Sequence, residues 1–258
     1  MLLRGLKNVK KKKRQFGEEK RRKIMEEKTK PQARTRDLGK GSIPKLLAQL
    51  AIPVVVAQIV NLLYNIVDRI YIGHIPGIGA AALTGVGLFA PILMLINAFA
   101  MLSGSGGAPR AAIFMGKKDN ETAEKIMANC FSLILIFAIG LTILFSIFAP
   151  KLLILFGASD ATLPYAVEYA RIYIFGSIFV LIVLGMNLFI TTQGFSKISM
   201  MTTLIGAVIN VILDPIFIFV FDMGVRGAAI ATVLSQAVGA IWVFRFLTGE
   251  KTILKLKL

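Results

Sequence analysis

The chain has 258 residues, of which 56% are hydrophobic and only 17% charged, with a mean hydropathy of +0.73 and a formal net charge of +16. A soluble globular domain carries about a quarter of its residues as charged ones, so this composition excludes an ordinary soluble protein and indicates a protein of the lipid bilayer. The sequence holds one cysteine and one histidine. This excludes a disulfide-stapled secreted fold and a structural metal site built from Cys and His.

Six long segments that are nearly free of charge predict membrane-spanning helices, because about 20 apolar residues are needed to cross about 30 Å of hydrocarbon. In chain order the predicted spans are 46–67, 80–103, 128–149, 165–191, 198–221 and 227–246. The second is expected to end at residue 103, because a cluster of glycines precedes Pro109 and such a cluster is typical of a helix end. The predicted fold is an all-α polytopic membrane protein in which residues 42–247 form one six-helix lobe.

Basic residues in the short loops predict the orientation of this lobe. Nine fall on the side of the two termini (Arg110, Lys117, Lys118, Lys125, Lys197, Arg245, Lys251, Lys255 and Lys257) and four on the other side (Arg69, Lys151, Arg171 and Arg226). Because cytoplasmic loops carry the excess of Lys and Arg, we expect a multi-pass protein of the cell membrane, plasma or inner, with both termini cytoplasmic.

The segments outside the lobe are basic. Residues 1–41 contain an unbroken basic run from Lys10 to Arg14, which predicts a cytoplasmic tail that is disordered or partly helical. Contact with anionic lipid is a second interpretation of this tail. Nucleic-acid binding is not predicted, because no binding module accompanies the charges. Residues 248–258 are predicted to begin a cytoplasmic linker.

Two carboxylates, Asp68 and Asp214, fall at membrane depth, where an acidic side chain is costly and normally has a partner or a function. Helical spacing places other polar residues on the same faces as these carboxylates. They are Asn61, Tyr64 and Asn65 on the first helix, Thr203, Gly206 and Asn210 on the fifth, and Thr232 and Gln236 on the sixth. Since all three stripes reach the outer half of the bilayer, we predict that they direct oxygen ligands into one site.

Pro53 and Pro215 are predicted to kink the first and fifth helices, since proline lacks the N–H of the helical hydrogen bond. Pro215 releases the carbonyl of Val211, which then needs a hydroxyl, a water or a cation as partner. An alternative is that the prolines only shape packing and that the asparagines are interhelical hydrogen-bond partners. No Ser/His/Asp set or phosphate-binding loop is present, so an enzyme is not predicted.

Three blocks of sequence resemble the multidrug and toxic compound extrusion (MATE) family of secondary transporters. They are Tyr64-Asn65-Ile66-Val67-Asp68-Arg69-Ile70-Tyr71-Ile72-Gly73, then Gly106-Gly107-Ala108-Pro109 with Met115-Gly116, then Asn210-Val211-Ile212-Leu213-Asp214-Pro215-Ile216-Phe217 with Gly227-Ala228-Ala229-Ile230-Ala231-Thr232. Gln193-Gly194 lies between the second and third blocks, as in the family. The resemblance implies a cation-coupled antiporter that exports small organic, often cationic compounds.

The resemblance also implies roles for individual residues. Asp68 and Asp214 would be the carboxylates of an H⁺ or Na⁺ site, which Tyr64, Asn210 and Thr232 would complete, and Pro53 would be the bend of the first helix. The coupling ion would be H⁺ or Na⁺ (Na⁺ at Asp68 and Asp214), and no other cofactor is implied.

The chain departs from the family in length, because members have twelve helices in two lobes and only the first lobe is recognised here. We therefore expect a truncated or half-length member that needs a second six-helix lobe, supplied by a homodimer or by a missing C-terminal half. In a lone lobe we expect the polar stripe to face lipid. Two alternatives are a flippase for lipid-linked precursors from the same superfamily and a membrane-anchored fragment that does not transport.

Overall fold

The computed structural model describes residues 42–257; the predicted tail of residues 1–41, with Leu258, lies outside the described residues. The described residues are all helical apart from short connections. The helices are α1 (Ile43–Gly73), α2 (Gly79–Leu88), α3 (Ala90–Gly116), α4 (Asn120–Leu155), α5 (Leu163–Thr192), α6 (Ser196–Pro215) and α7 (Gly224–Thr248), with a π-helical turn at Ile216–Val220. They supply six segments long and apolar enough to cross a membrane, because α2 continues into α3 and α6 into the π-helical turn. The predicted fold class is confirmed.

Packing in the bundle is centred on α5. This helix contacts α3, α4 and α7 and is the most buried of the six spans, whereas α1 packs mainly against α6 and is the least buried. We call the end where α1 begins and α7 ends the basic end, and the other the opposite end. The carboxylate-bearing parts of α1 and α6 lie toward the opposite end.

The second span is longer than the sequence predicted. It runs over Gly79–Gly116 with a break at Phe89, so the prediction that it ends at residue 103 is wrong. Two of the glycines that suggested an end, Gly104 and Gly107, are packing positions. A Cβ atom on Gly104 would lie 2.6 Å from the carbonyl oxygen of Gly185, and a Cβ on Gly107 would overlap Sγ of Cys130. Close approach of α3 to α5 and α4 therefore explains these glycines.

The third span, helix α4, also begins earlier than predicted, at Asn120. Asp119 caps it, since its carboxylate accepts a hydrogen bond from the backbone N–H of Thr122 at 3.1 Å, as is usual for Asp at a helix N-terminus. Hydrogen bonds from the side chain and backbone of Thr122 hold the pKa of Asp119 below its ordinary value.

The helix structure at the two predicted kink positions differs between α1 and α6. Pro53 lies buried within α1, whose helix continues through it. At Pro215 the α-helical register ends and the π-helical turn begins, and the N–H of Phe221 donates to the carbonyl of Ile216 at 2.9 Å. A wider turn accommodates a residue without an N–H, so the perturbation predicted at Pro215 takes the form of a π-helical turn.

Candidate functional site

The two carboxylates singled out in the sequence lie together inside the bundle. Asp68 comes from the last part of α1 and is 8% exposed, and Asp214 comes from the end of α6 and is fully buried. Their carboxyl groups are close enough to interact with each other directly. Because buried carboxylates repel when both are ionised, such a pair favours a state in which a proton or a cation is shared between them.

Asn210 connects Asp214 to the next helix. Its Nδ2 donates to Oδ1 of Asp214 at 3.0 Å and lies 3.4 Å from Oγ1 of Thr232 on α7. One amide nitrogen carries two hydrogens and can serve both acceptors. Thr232 is 8% exposed, so a continuous polar network runs from α6 to α7 in the interior of the lobe.

Tyrosines complete the surroundings of the carboxylates. Tyr64, one turn before Asp68 on α1, interacts with Asp68 and Asp214. Tyr169 on α5 lies near Thr232 and Asp68, and Tyr173 lies near Tyr64 and Asp68. The sequence analysis missed Tyr169 and Tyr173, because tyrosine in an apolar helix is commonly a membrane-interface residue and gave no distinguishing signal.

Three oxygen atoms of this network are buried without a hydrogen-bond partner, namely Oδ1 of Asp68, Oδ2 of Asp214 and Oδ1 of Asn210. Buried polar atoms are nearly always satisfied in native proteins. Carboxylate, amide and hydroxyl oxygens are the donor set that hard cations prefer. Within residues 42–257, no group of three or more His, Cys, Asp or Glu side chains is placed to hold a metal ion.

A cavity of ≈ 270 Å³ adjoins the carboxylates. Its walls come from α1, α3, α5, α6 and α7, and its polar lining residues are Asn61, Tyr64, Asn65, Asp68, Asn97, Tyr169, Tyr173, Thr202, Thr203, Thr232, Ser235 and Gln236. Gly206 also lines it, so members of all three predicted polar stripes meet at one cavity. Asp214 and Asn210 lie fully buried beside it.

The expectation that the polar stripe of a lone lobe faces lipid is wrong for the two carboxylates and for Thr232. Asp68, Asp214 and Thr232 are buried among the helices of the same lobe, because α1 and α7 flank α6 and α5 closes the cavity from behind. Asn65 is the member that remains exposed, and its amide donates to the backbone carbonyl of Asn61 at 2.7 Å.

Comparisons with known proteins agree on one family. The family model described as MatE matches residues 53–216. The chain is 26% identical over 201 residues to the multidrug export protein MepA of Staphylococcus haemolyticus, covering 78% of this chain and 44% of the relative. It is 27% identical over 221 residues to MepA of Staphylococcus saprophyticus, covering 85% of this chain and 48% of the relative.

Solved structures give the same result. A MOP superfamily transporter from Pyrococcus furiosus superposes with a TM-score of 0.80 at 30% identity, covering 87% of this chain and 49% of that one. A multidrug resistance MATE family transporter in an outward-facing conformation matches with the same TM-score, identity and coverage. The chain thus spans about half the length of the relatives it matches.

Proposed function

This chain belongs to the MatE family of multidrug and toxic compound extrusion transporters, and from that premise we propose that it forms one lobe of an antiporter that exports small organic cations in exchange for H⁺ or Na⁺. The observation that supports this most directly is the interior network of Asp68, Asp214, Asn210 and Thr232 beside a cavity, with three carboxylate and amide oxygens unpartnered. These residues would hold the coupling ion.

The proposed mechanism rests on repulsion between two neighbouring carboxylates. When both are ionised, Asp68 on α1 and Asp214 on α6 repel across a medium of low dielectric constant, and this favours separation of the two helices. Neutralisation by a proton or a monovalent cation removes the repulsion and allows the helices to approach. Because α1 packs mainly against α6, a change in this single contact can move α1 and reshape the cavity that both helices line.

The chemistry of the cavity supports a cationic substrate. Asp68 supplies negative charge, and Tyr64, Tyr169 and Tyr173 supply aromatic rings, whose faces attract cations. None of the described residues that line the cavity is Lys or Arg. An anionic, phosphate-bearing precursor would need such residues, so the lining favours drug export over lipid-linked precursor flipping.

We further propose that the active form lies in the cell membrane with both termini of the lobe cytoplasmic and contains a second six-helix lobe. The support is the coverage of about half of each relative and the bias of basic residues toward the basic end. The second lobe would come from a second copy of this chain or from a separate C-terminal half.

Dye efflux from vesicles tests the assignment of the carboxylates. Vesicles containing the protein are loaded with a fluorescent organic cation, and an inward H⁺ or Na⁺ gradient is imposed. Asp214→Asn and Asp68→Asn should each reduce gradient-driven efflux to the level of protein-free vesicles. Asp222→Asn is the matched control, because Asp222 is an exposed acid in the turn after α6, outside the network. Coupled efflux by Asp214→Asn equal to that of the unmodified protein would overturn the proposal.

A further inference from the structure

Residues 249–257, which follow α7, fold back onto the basic end of the bundle. The N–H of Leu256 donates to the carbonyl of Leu247 in the last turn of α7 at 2.9 Å. Leu254 is fully buried and Leu256 is 6% exposed, and both belong to the hydrophobic core of the lobe. A solvated linker would not bury two leucines, so this segment is part of the folded lobe.

Gln193, the residue that ends α5, is the main polar contact of this segment. Its Oε1 accepts hydrogen bonds from Oγ1 of Thr252 at 2.8 Å, from the N–H of Ile253 at 2.9 Å and from the N–H of Leu254 at 2.8 Å. Its Nε2 donates to the carbonyl of Phe189 at 3.1 Å. That bond fixes the direction of the amide, so the acceptor oxygen points at the segment.

Glu124 in the first turns of α4 provides the second attachment. Its Oε1 accepts from the N–H of Lys255 at 3.0 Å, and its Oε2 pairs with Nζ of Lys257 at 2.6 Å. The Glu124 side chain is only 14% exposed. Its hydrogen bond and negative charge raise the pKa of Lys257 above the ordinary value, so the ammonium group of Lys257 stays charged through the physiological range.

We propose that Gln193, Glu124 and the end of α7 form a docking site whose occupant is the chain's own residues 249–257, a clasp that joins the basic ends of α4, α5 and α7. The clasp binds through acceptor oxygens of Gln193, Glu124 and Leu247 and through two buried leucines. It fixes three helices at the end of the lobe remote from the carboxylates, whereas its hydrogen bonds and ion pair leave α1 and α6 unattached. Those are the two helices that carry Asp68 and Asp214.

Hydrogen–deuterium exchange of the full chain in lipid nanodiscs, without substrate or ion gradient, tests the clasp independently of transport. The amides of residues 253–256 should exchange at least about tenfold more slowly than in a synthetic peptide of residues 249–257, since each is hydrogen-bonded in the docked state. Gln193→Leu should remove this protection and also speed exchange in the last turn of α7. Gln193→Glu keeps an acceptor oxygen and should retain most of the exchange protection of residues 253–256.

Two further variants make the test specific. Glu124→Gln keeps an acceptor for the N–H of Lys255 but loses the charge that pairs with Lys257, so protection should fall less than in Gln193→Leu. Glu121→Gln is the matched control, because Glu121 forms an exposed ion pair with Lys125 on the same helix turn. Peptide-like exchange of residues 253–256 in the unmodified protein would overturn the proposal, as would equal protection in Gln193→Leu and Glu121→Gln. Loss of dye efflux in Asp214→Asn has no bearing on either outcome.

Discussion

Asn210 donates a hydrogen bond from Nδ2 to Oδ1 of Asp214 at 3.0 Å, one helical turn further along α6. The same nitrogen reaches Thr232 on α7 at 3.4 Å, so a single side chain orients the buried carboxylate and links two helices. Oδ2 of Asp214 is left buried without a hydrogen-bond partner, as is Oδ1 of Asp68. Orientation by Asn210 thus leaves one oxygen of Asp214 without a hydrogen-bond partner.

Asn210→Ala should therefore lower both stability and coupling. The buried oxygens of Asp214 and Thr232 lose their donor, which we expect to cost about 0.5–2 kcal/mol of unfolding free energy, the range for polar contacts in membrane interiors and for buried unsatisfied groups. Thermal unfolding in detergent and gradient-driven dye efflux measure the two effects. Asn129→Ala is the control, since Asn129 is exposed on α4 and does not line the cavity. Equal behaviour of the two variants would contradict the role given to Asn210.

Phe89, at the break between α2 and α3, should position the site tyrosines. Its buried ring contacts Tyr169 and Tyr173 edge-on, with ring centroids 5.6 Å and 5.2 Å apart. Phe89→Leu keeps an apolar side chain but removes contacts worth about 0.5–1.5 kcal/mol each. We expect it to change the pH dependence of efflux, because Tyr169 lies near both Asp68 and Thr232.

Phe99→Leu is the matched control for Phe89→Leu. Phe99 makes an edge-on contact with Phe137 at 4.9 Å, between α3 and α4, and neither ring lines the cavity. This variant should lose stability without altering the pH dependence of efflux. If both variants shift the pH dependence equally, Phe89 acts through general packing and not through the tyrosines.

The sequence predicted the helices well because each span must satisfy its own backbone in the bilayer, and this forces long apolar runs that are easy to recognise. Helix ends were less predictable. Gly104 and Gly107 resemble terminating residues in isolation, and only the neighbouring backbone of Gly185 and side chain of Cys130 explain them as contact points inside a continuous helix.

Some residues of the candidate site could likewise be predicted from the sequence, and others could not. Asp68, Asp214 and Asn210 could be identified because a carboxylate or amide in an apolar span is conspicuous, and helical spacing indicated which residues share a face. Tyr169 on α5 could not, since its role depends on the distance between helices. The clasp could not be predicted either, because Gln193 and Thr252 meet only through the tertiary fold.

Gly104→Ala should destabilise the lobe. Its added Cβ would lie 2.6 Å from the carbonyl oxygen of Gly185 and 2.8 Å from Cδ1 of Leu188. Helix backbones cannot yield as easily as flexible side chains, so we expect a loss of about 1–3 kcal/mol of unfolding free energy, typical of overpacking. Gly106→Ala on the same helix is the control, because no atom lies within 4 Å of its added Cβ; it should be neutral or stabilising, as alanine favours helices over glycine. Chemical denaturation in detergent micelles compares them, and a stable Gly104→Ala would show that α3 and α5 are not in close contact.

The exposed surface of α1 leads to the last prediction, that the transporting form contains two lobes. Leu62, Leu63 and Ile66 are 63%, 54% and 45% exposed. Lipid can cover leucine and isoleucine, but Asn65 is also exposed and lines the cavity. Since an uncovered amide is unfavourable against hydrocarbon, a second lobe over this side of α1 satisfies it better than lipid does.

Mass measurement in nanodiscs alongside dye efflux tests this prediction. In a Cys130→Ser background, Asn65→Cys should be linked between two copies by a short bis-maleimide if the second lobe is another copy of this chain. Ile139→Cys on α4 should not be linked. Its side chain is 61% exposed, and the principal helix contacts of α4 are with α3 and α5. A partner lobe from a separate polypeptide would instead appear as a second mass, with no link between copies. A strictly monomeric particle of 28.1 kDa that still exports dye would contradict the prediction, because its cavity would have to operate with Asn65 directly against lipid.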